Sequence, residues 1–287
     1  MVKIWFDGFW EGFSKSTNIF VSLIQKYCLA VITPDNPDIV FLSSFKKTDE
    51  WKNATKVFFN GERSLDIECQ FDFSFGPEVT NGTHQNFPCW LLFTNVFGNL
   101  TNGEPNFLVD PFHITPTNFQ RDFFCCQIIR NGNCKKRNTL FNSVTREIGF
   151  VHSLGSYKKN STLLQPSNSW VKSKLNVLGK FKFSLCCENF SEHGYLTEKL
   201  LHGLVAGTIP VYWGDPFASQ TFNPKRFISI HDYKPEEYHR LIHSINESDD
   251  RRGEILSHPL FTENQQIQLF KLTQAVEYTI QRVLNHK

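Results

Sequence analysis

Apolar positions along this chain follow two rhythms. Short apolar runs of buried-strand length alternate with stretches in which apolar residues recur every three or four positions, the helical spacing. In the first half, 3–6, 30–32, 39–42, 56–60, 71–75 and 88–93 read as strands. Residues 16–28 read as a helix with Ile19, Phe20, Leu23 and Ile24 on one face. From 94 to about 121 the chain is rich in Asn, Pro, Gly and Thr without a period, which reads as loop and linker. In the second half, 123–129, 148–151, 183–187, 208–213 and 227–230 read as strands, and 136–146, 167–178 and 235–245 as helices. The C-terminal stretch opens on the capping box Thr262-Glu263-Asn264-Gln265 and keeps Leu269, Leu272, Val276, Ile280 and Val283 on one face. Strand–helix alternation in two halves predicts an α/β protein of two Rossmann-like, doubly wound domains facing each other across a cleft.

Composition narrows the function classes. The 287 residues carry 40% hydrophobic and 20% charged side chains, as a soluble globular chain does. A net charge of +2 gives no global field for nucleic acid or for an anionic membrane, so neither is expected as a partner. The 29 Phe residues imply bulky cores and identify no ligand. No run approaches the ~20 apolar residues that span a bilayer. The start, Met1-Val2-Lys3-Ile4-Trp5-Phe6-Asp7, has the pattern of a strand and not of a signal peptide, so a soluble, cytoplasmic protein is expected. Eight cysteines lack zinc spacing and read as reduced, mostly buried thiols.

The richest segment is 183–216. The strand run ends on Glu188-Asn189, a polar connection leads to Tyr195-Leu196-Thr197-Glu198-Lys199, and a helix follows with Leu200, Leu201, Leu204 and Val205 on one face. Gly207 has the place of a C-terminal cap before the next strand. A strand-to-helix turn of this kind stands at the ligand end of a parallel sheet. The helix N-terminus favours anions, Lys199 adds a positive charge, Glu198 offers an acceptor for a diol, and Tyr195 can stack or donate. These groups suit a nucleotide diphosphate carrying a sugar. Spacing alone is equally consistent with an ordinary helix start, with Thr197 near the cap and Glu198 meeting the dipole.

The residues Phe183, Leu185, Glu188-Asn189, Tyr195, Thr197-Glu198-Lys199, Gly207-Thr208-Ile209-Pro210-Val211 and Gly214 carry a specific resemblance. The segment is similar to the donor motif of the α1,3/α1,4-fucosyltransferases of glycosyltransferase family 10, which move fucose from GDP-fucose onto N-acetylglucosamine-containing glycans. The resemblance covers most of the chain and is strongest from about 123 to 233. The start of the chain shows no anchor or stem pattern, as expected of the soluble microbial and viral members and equally of a truncated chain. The resemblance implies the GT-B fold, with an acceptor-binding domain at 1–120, a GDP-fucose-binding domain at 121–260, and a helix at 261–287 that packs back toward the first domain.

Inverting transfer needs a stabilised diphosphate leaving group, a positioned donor and a base for the acceptor hydroxyl. In the cation-rich turn 131–138, the pair Arg137-Asn138 matches the family's phosphate-holding Arg-Asn, and an Arg fork can grip phosphate oxygens in pairs. Ile129-Arg130-Asn131 departs from the family's small residue there; Arg130 is either an extra contact or a surface charge. Lys135 and Lys136 read as a solvated face. Gly61-Glu62 follows a strand end, and the resemblance implies Glu62 as the base; Arg63 departs from the pattern, and by position alone Glu62 is a surface loop residue. By resemblance Asn189 reaches the phosphates or fucose, and Glu188 the fucose ring or its developing positive charge. Arg137, Tyr195 and Lys199 would hold the diphosphate, and Glu198 the ribose. No Asp-x-Asp metal device is present, Asp66-Ile67-Glu68 being the nearest approach. No cofactor is therefore expected to be required, and added Mn²⁺ is expected to raise the rate modestly at most. The acceptor expected is an N-acetyllactosamine-type or other N-acetylglucosamine-containing glycan, joined by an α1,3 linkage. Two rivals stand: a GT-B transferase with another nucleotide sugar or acceptor, and a non-catalytic glycan- or nucleotide-binding protein.

Overall fold

The computed structural model describes residues 1–44, 50–61, 70–77, 82–97, 109–112, 121–165 and 170–286. The chain forms two compact units, one of Met1–Leu108 with Ile267–Lys287 and the other of Val109–Gln266.

The first unit is a parallel sheet in the order β2-β1-β3-β4-β5-β6. Its strands are β1 (Val2–Asp7), β2 (Ala30–Ile32), β3 (Ile39–Ser43), β4 (Thr55–Phe59), β5 (Phe73–Gly76) and β6 (His84–Asn86). Helix α1 (Ile19–Gln25) connects β1 to β2 and starts at Asn18, whose Oδ1 accepts from the backbone N–H of Phe20 and Val21 at 3.0 and 3.1 Å. The phenylalanines explain the core. Phe6 pairs in register with Phe41, and Phe59 with Phe75, so these rings share one face of the sheet. Phe20 of α1 lies on that face, 4.8 Å from Phe41 and 5.6 Å from Phe75. Each such ring, fully buried, contributes roughly 1.5–3 kcal/mol.

Two features of this unit depart from the sequence pattern. Residues 88–93, read as a strand, form a 3₁₀ helix at Cys89–Phe93. Pro88 enters it with φ −59°, and Trp90, Leu91 and Leu92 are buried in succession, not alternately. β6 has no apolar signal because it is a short polar edge strand, paired with β5 through Ser74–His84.

The second unit is a parallel sheet in the order β11-β10-β9-β7-β8. Its strands are β7 (Phe123–Gln127), β8 (Val151–Ser153), β9 (Phe181–Cys187), β10 (Ile209–Trp213) and β11 (Ile228–Ser229). The helices are α2 (Lys135–Glu147), α3 (Trp170–Leu178), α4 (Glu198–Val205), α5 (Ala218–Thr221), α6 (Pro235–Asn246) and α7 (Asp249–Ser257). The strand expected at 148–151 begins three residues later because the chain leaves α2 only at Ile148. β9 is buried along almost its whole length, as a central parallel strand must be. Gly207 adopts φ +72° just past α4, the left-handed conformation that a glycine accepts without strain. Cys125, Cys126, Cys186 and Cys187 are buried in this sheet, and burial pushes their thiols up, Cys186 to about 11, which favours the neutral form.

Helix α8 (Glu263–Asn285) starts at the expected capping box. Thr262 N–H donates to Gln265 Oε1 at 2.8 Å, and Gln265 N–H to Thr262 Oγ1 at 3.3 Å. Further on, Val276, Ile280 and Val283 are fully buried, Thr279 donates to Gln85 Oε1 at 3.1 Å, and Glu277 pairs with Lys26 at 2.6 Å. Among the described residues no helix is long and apolar enough to cross a membrane.

Candidate functional site

The chain of the second unit lays β8 on one side of β7 and then crosses to place β9 on the other. The crevice beyond the carboxyl ends of β7 and β9 is the switch point where doubly wound sheets bind ligands. A cavity of about 690 Å³ opens there. Its walls come from Ile128–Asn131 after β7, from Leu154–Ser156 after β8, from Trp170 and Lys174 of α3, and from Asn189, Glu198 and Lys199 after β9. Arg137 and Lys159 add further positive charge.

Arg137 is buried, 2% exposed, in the first turn of α2. Its guanidinium donates to the carbonyls of Asn131 at 2.8 Å and Cys187 at 3.0 Å, and to Asn189 Oδ1 at 2.7 Å. It thereby ties the end of β7 to the end of β9 across the switch point and aims Asn189. Its Nε is buried without a hydrogen-bond partner among the described residues. Arg121, Arg226 and Arg252 share that feature, so it does not mark a ligand by itself; Arg137 differs from them in lining the cavity, where its charge suits an anion such as a phosphate. The N-cap residues Cys134 of α2 and Thr197 of α4 make no side-chain cap among the described residues, and both helices start at the cavity, where a helix N-terminus favours an anion.

Thr197 turns its hydroxyl away from the cap toward Glu188. Thr197 Oγ1 lies 2.8 and 2.7 Å from the two Glu188 carboxylate oxygens, and Thr197 N–H donates to Oε1 at 2.9 Å. Lys199 Nζ donates to Glu188 Oε2 at 2.9 Å and to Thr197 Oγ1 at 2.9 Å. Glu188 is completely buried, so removing its partners would strand a charge in the sheet edge. Burial opposes the Lys199 ammonium, but Glu188 and Glu198 outweigh it and hold that amine protonated well above the usual lysine range. Burial likewise opposes the Glu198 carboxylate; Lys199 and Lys174 overcome it and hold its pKa well below the usual range. Lys174 Nζ meets Glu198 Oε1 at 3.3 Å.

Arg137, Asn189, Glu198 and Lys199 of the sequence-derived set therefore stand together on the cavity wall. Glu188 lies behind the wall, under Lys199 and Thr197. Tyr195 is 3% exposed, edge-on to Phe190, and outside the lining residues. Glu62 lies outside the described residues, which run to Gly61 just past β4. Lys174 and Trp170 were not singled out from the sequence. The signal for Lys174 is a lysine three residues from Val171 and three from Val177, on the apolar face of α3. Among the described residues no group of three or more His, Cys, Asp or Glu side chains is placed to hold a metal ion.

Two Rossmann-like α/β units, the second with a cation-lined crevice at its switch point, define the class as the GT-B fold. A family model described as glycosyltransferase family 10 (fucosyltransferase) C-term matches residues 119–272, and one described as the α-(1,3)-fucosyltransferase FucT N-terminal domain matches 4–93. The chain belongs to glycosyltransferase family 10, the fucosyltransferase family. It is 26% identical over 260 residues to the α-(1,3)-fucosyltransferase FucT of Helicobacter pylori, an alignment covering 80% of this chain and 53% of the relative. The chain thus spans about half of that relative's length. A crystal structure of an α1,3-fucosyltransferase superposes with a TM-score of 0.73 at 20% identity, covering 98% of this chain and 90% of that one. A crystal structure of an α1,3-fucosyltransferase with GDP-fucose gives 0.71 at 21% identity, covering 97% and 90%.

Proposed function

We propose that this protein is an inverting fucosyltransferase that moves L-fucose from GDP-fucose to a hydroxyl of an N-acetylglucosamine-containing glycan, most naturally through an α1,3 linkage. The observation that carries the reading is that Arg137, tied across the switch point to the ends of β7 and β9, lines one cavity with Lys199 at the starts of α2 and α4. This is the electrostatic provision that a departing diphosphate needs. Membership of the fucosyltransferase family, together with the likeness in fold to an α1,3-fucosyltransferase crystallised with GDP-fucose, supports that nucleotide sugar as the donor.

In this reading Arg137 and Lys199 hold the diphosphate, with Tyr195 nearby; Asn189 reaches the phosphates or the fucose, and Glu198 accepts from the ribose. Glu188, expected at the fucose, is fully buried behind the wall with both oxygens taken, so in this reading it acts through Lys199, which it fixes. Glu62 takes the acceptor proton. The acceptor lies on the first unit, where half-buried Phe9, Trp10 and Phe13 follow β1. Cationic side chains take the place a divalent ion would have, so transfer proceeds in EDTA and Mn²⁺ raises the rate modestly at most.

The test is transfer from GDP-fucose to N-acetyllactosamine in EDTA, followed by mass spectrometry, for the wild type and Glu62→Gln. The wild type should add one fucose, and the variant should bind GDP-fucose while losing at least ~100-fold in transfer. Transfer by the variant near the wild-type rate would remove Glu62 as the base. No transfer to any N-acetylglucosamine-containing acceptor would remove the acceptor class.

A further inference from the structure

Helix α3 carries a charge where its pattern asks for an apolar residue. Its buried positions are Val171, Lys174, Val177 and Leu178, three or four apart, so Lys174 shares the inward face. The side chain is only 7% exposed. A leucine or methionine there would pack without the cost of desolvating an ammonium, so packing does not explain the lysine. Its ion-pair partner is Glu198 Oε1 at 3.3 Å, and both residues line the cavity.

The arrangement around them is ordered. Glu198 opens α4, and the next residue, Lys199, is held on buried Glu188 at 2.9 Å. Lys174, Glu198, Lys199 and Glu188 thus alternate in sign from the cavity wall into the sheet edge. Glu198 has two lysines within reach, and Lys174 draws one of its oxygens toward α3. His202 stands one turn further along α4, 1% exposed; burial, and next to it the Lys174 charge, hold it neutral, so it does not compete for Glu198 as a cation.

We propose that Lys174 is a positioning residue for the nucleotide-sugar donor: by holding Glu198 Oε1 it fixes that carboxylate so that its second oxygen accepts from a hydroxyl of the donor, and it keeps Glu198 from collapsing onto Lys199. The inference rests on the donor-site reading above. Without Lys174, Glu198 would neutralise the lysine that the diphosphate needs, so donor affinity falls although Lys174 itself touches no donor atom.

The experiment is calorimetric titration of GDP-fucose into the full chain, as wild type, Lys174→Met, Lys174→Arg, Glu198→Gln and the double variant Lys174→Met/Glu198→Gln. Thermal unfolding checks each fold, and Lys174→Gln replaces Lys174→Met if the latter does not fold. Lys174→Met should weaken binding about 30-fold, and Lys174→Arg should recover to within about 3-fold of wild type. In the Glu198→Gln background the same Lys174→Met change should cost less than about 2-fold, because the group it acts through is gone. In the transfer assay its KM for GDP-fucose should rise while kcat stays within about 3-fold. Wild-type affinity in Lys174→Met, or no recovery in Lys174→Arg, would overturn the proposal. So would a full loss that persists with Glu198→Gln, which would make Lys174 a direct donor contact. If the wild type itself does not bind GDP-fucose, the donor-site reading fails and the proposal with it.

Discussion

The carboxyl edges of the two sheets obey one topology and carry different chemistry. In the second unit the ends of β7 and β9 gather Arg137, Lys174, Lys199, Glu188 and Glu198 around a cavity, each charge tied to a partner or a carbonyl. In the first unit the described part of the edge, at the end of β1, is aromatic. Phe9 stacks on Phe13 at 4.1 Å and on Phe59 at 5.9 Å, Trp10 stands edge-on to Phe13 at 5.0 Å, and Asp7 at the end of β1 accepts from Trp51 Nε1 at 3.4 Å. Topology places a ligand site at a strand crossover in both. Side chains differ between the two: fixed cations suit an anion, and in the proposed reading the flat apolar rings suit a neutral polyol.

Perturbing each edge separately sharpens this contrast. The largest effect is expected at Arg137. Arg137→Ala should weaken GDP-fucose by about 1,000-fold, or ~4 kcal/mol, because it removes a phosphate fork and releases Asn189; calorimetry showing less than about 10-fold would place the diphosphate elsewhere. Phe20→Ala in the first unit should lower stability by about 3–4 kcal/mol while leaving GDP-fucose affinity of the folded protein within about 2-fold. A parallel loss of affinity would mean the two edges are not chemically separate. Glu188→Gln should destabilise by about 2–3 kcal/mol, since Lys199 loses its buried counter-charge, and denaturant titration reads this directly.

The smallest effect concerns pH. The Glu198 pKa is depressed in the folded protein by Lys199 and Lys174 acting against burial. Its favourable contribution is therefore present above the unfolded carboxyl pKa of about 4.3 and is lost as pH falls below it. Glu198→Gln should flatten the decline of the unfolding free energy between about pH 5 and pH 3, by an amount on the order of 1 kcal/mol, read by denaturant titration at each pH. An unchanged slope would show that the pair with Lys174 does not contribute.

Legibility in the sequence followed the same divide. β9 and β10 were readable because parallel strands buried on both faces are continuous apolar runs, and Gly207 and the Thr262–Gln265 box mark helix ends by local chemistry alone. The strand-to-helix turns were readable as anion sites by position, but Arg137 and Asn189, like the roles of Glu198 and Lys199, were singled out by the resemblance to the fucosyltransferase motif. The burial of Glu188 was not readable: it depends on the chain doubling back to bring Thr197 and Lys199 onto it. Lys174 escaped because a helix read by its apolar positions leaves a charge on that face unassigned. The strand expected at 88–93 failed because a short apolar run has the same composition in a strand and in a 3₁₀ turn, and burial in succession, visible only in three dimensions, separates them.

The most direct test of the central claim is calorimetric titration of the wild-type protein in EDTA with GDP-fucose, GDP-mannose and UDP-galactose. The account predicts selective binding of GDP-fucose, with the other two sugars weaker, and no need for a divalent ion. No binding of either guanine nucleotide, or binding that appears only when a metal is restored, would contradict the assignment of the β7–β9 crevice as a cation-built donor site.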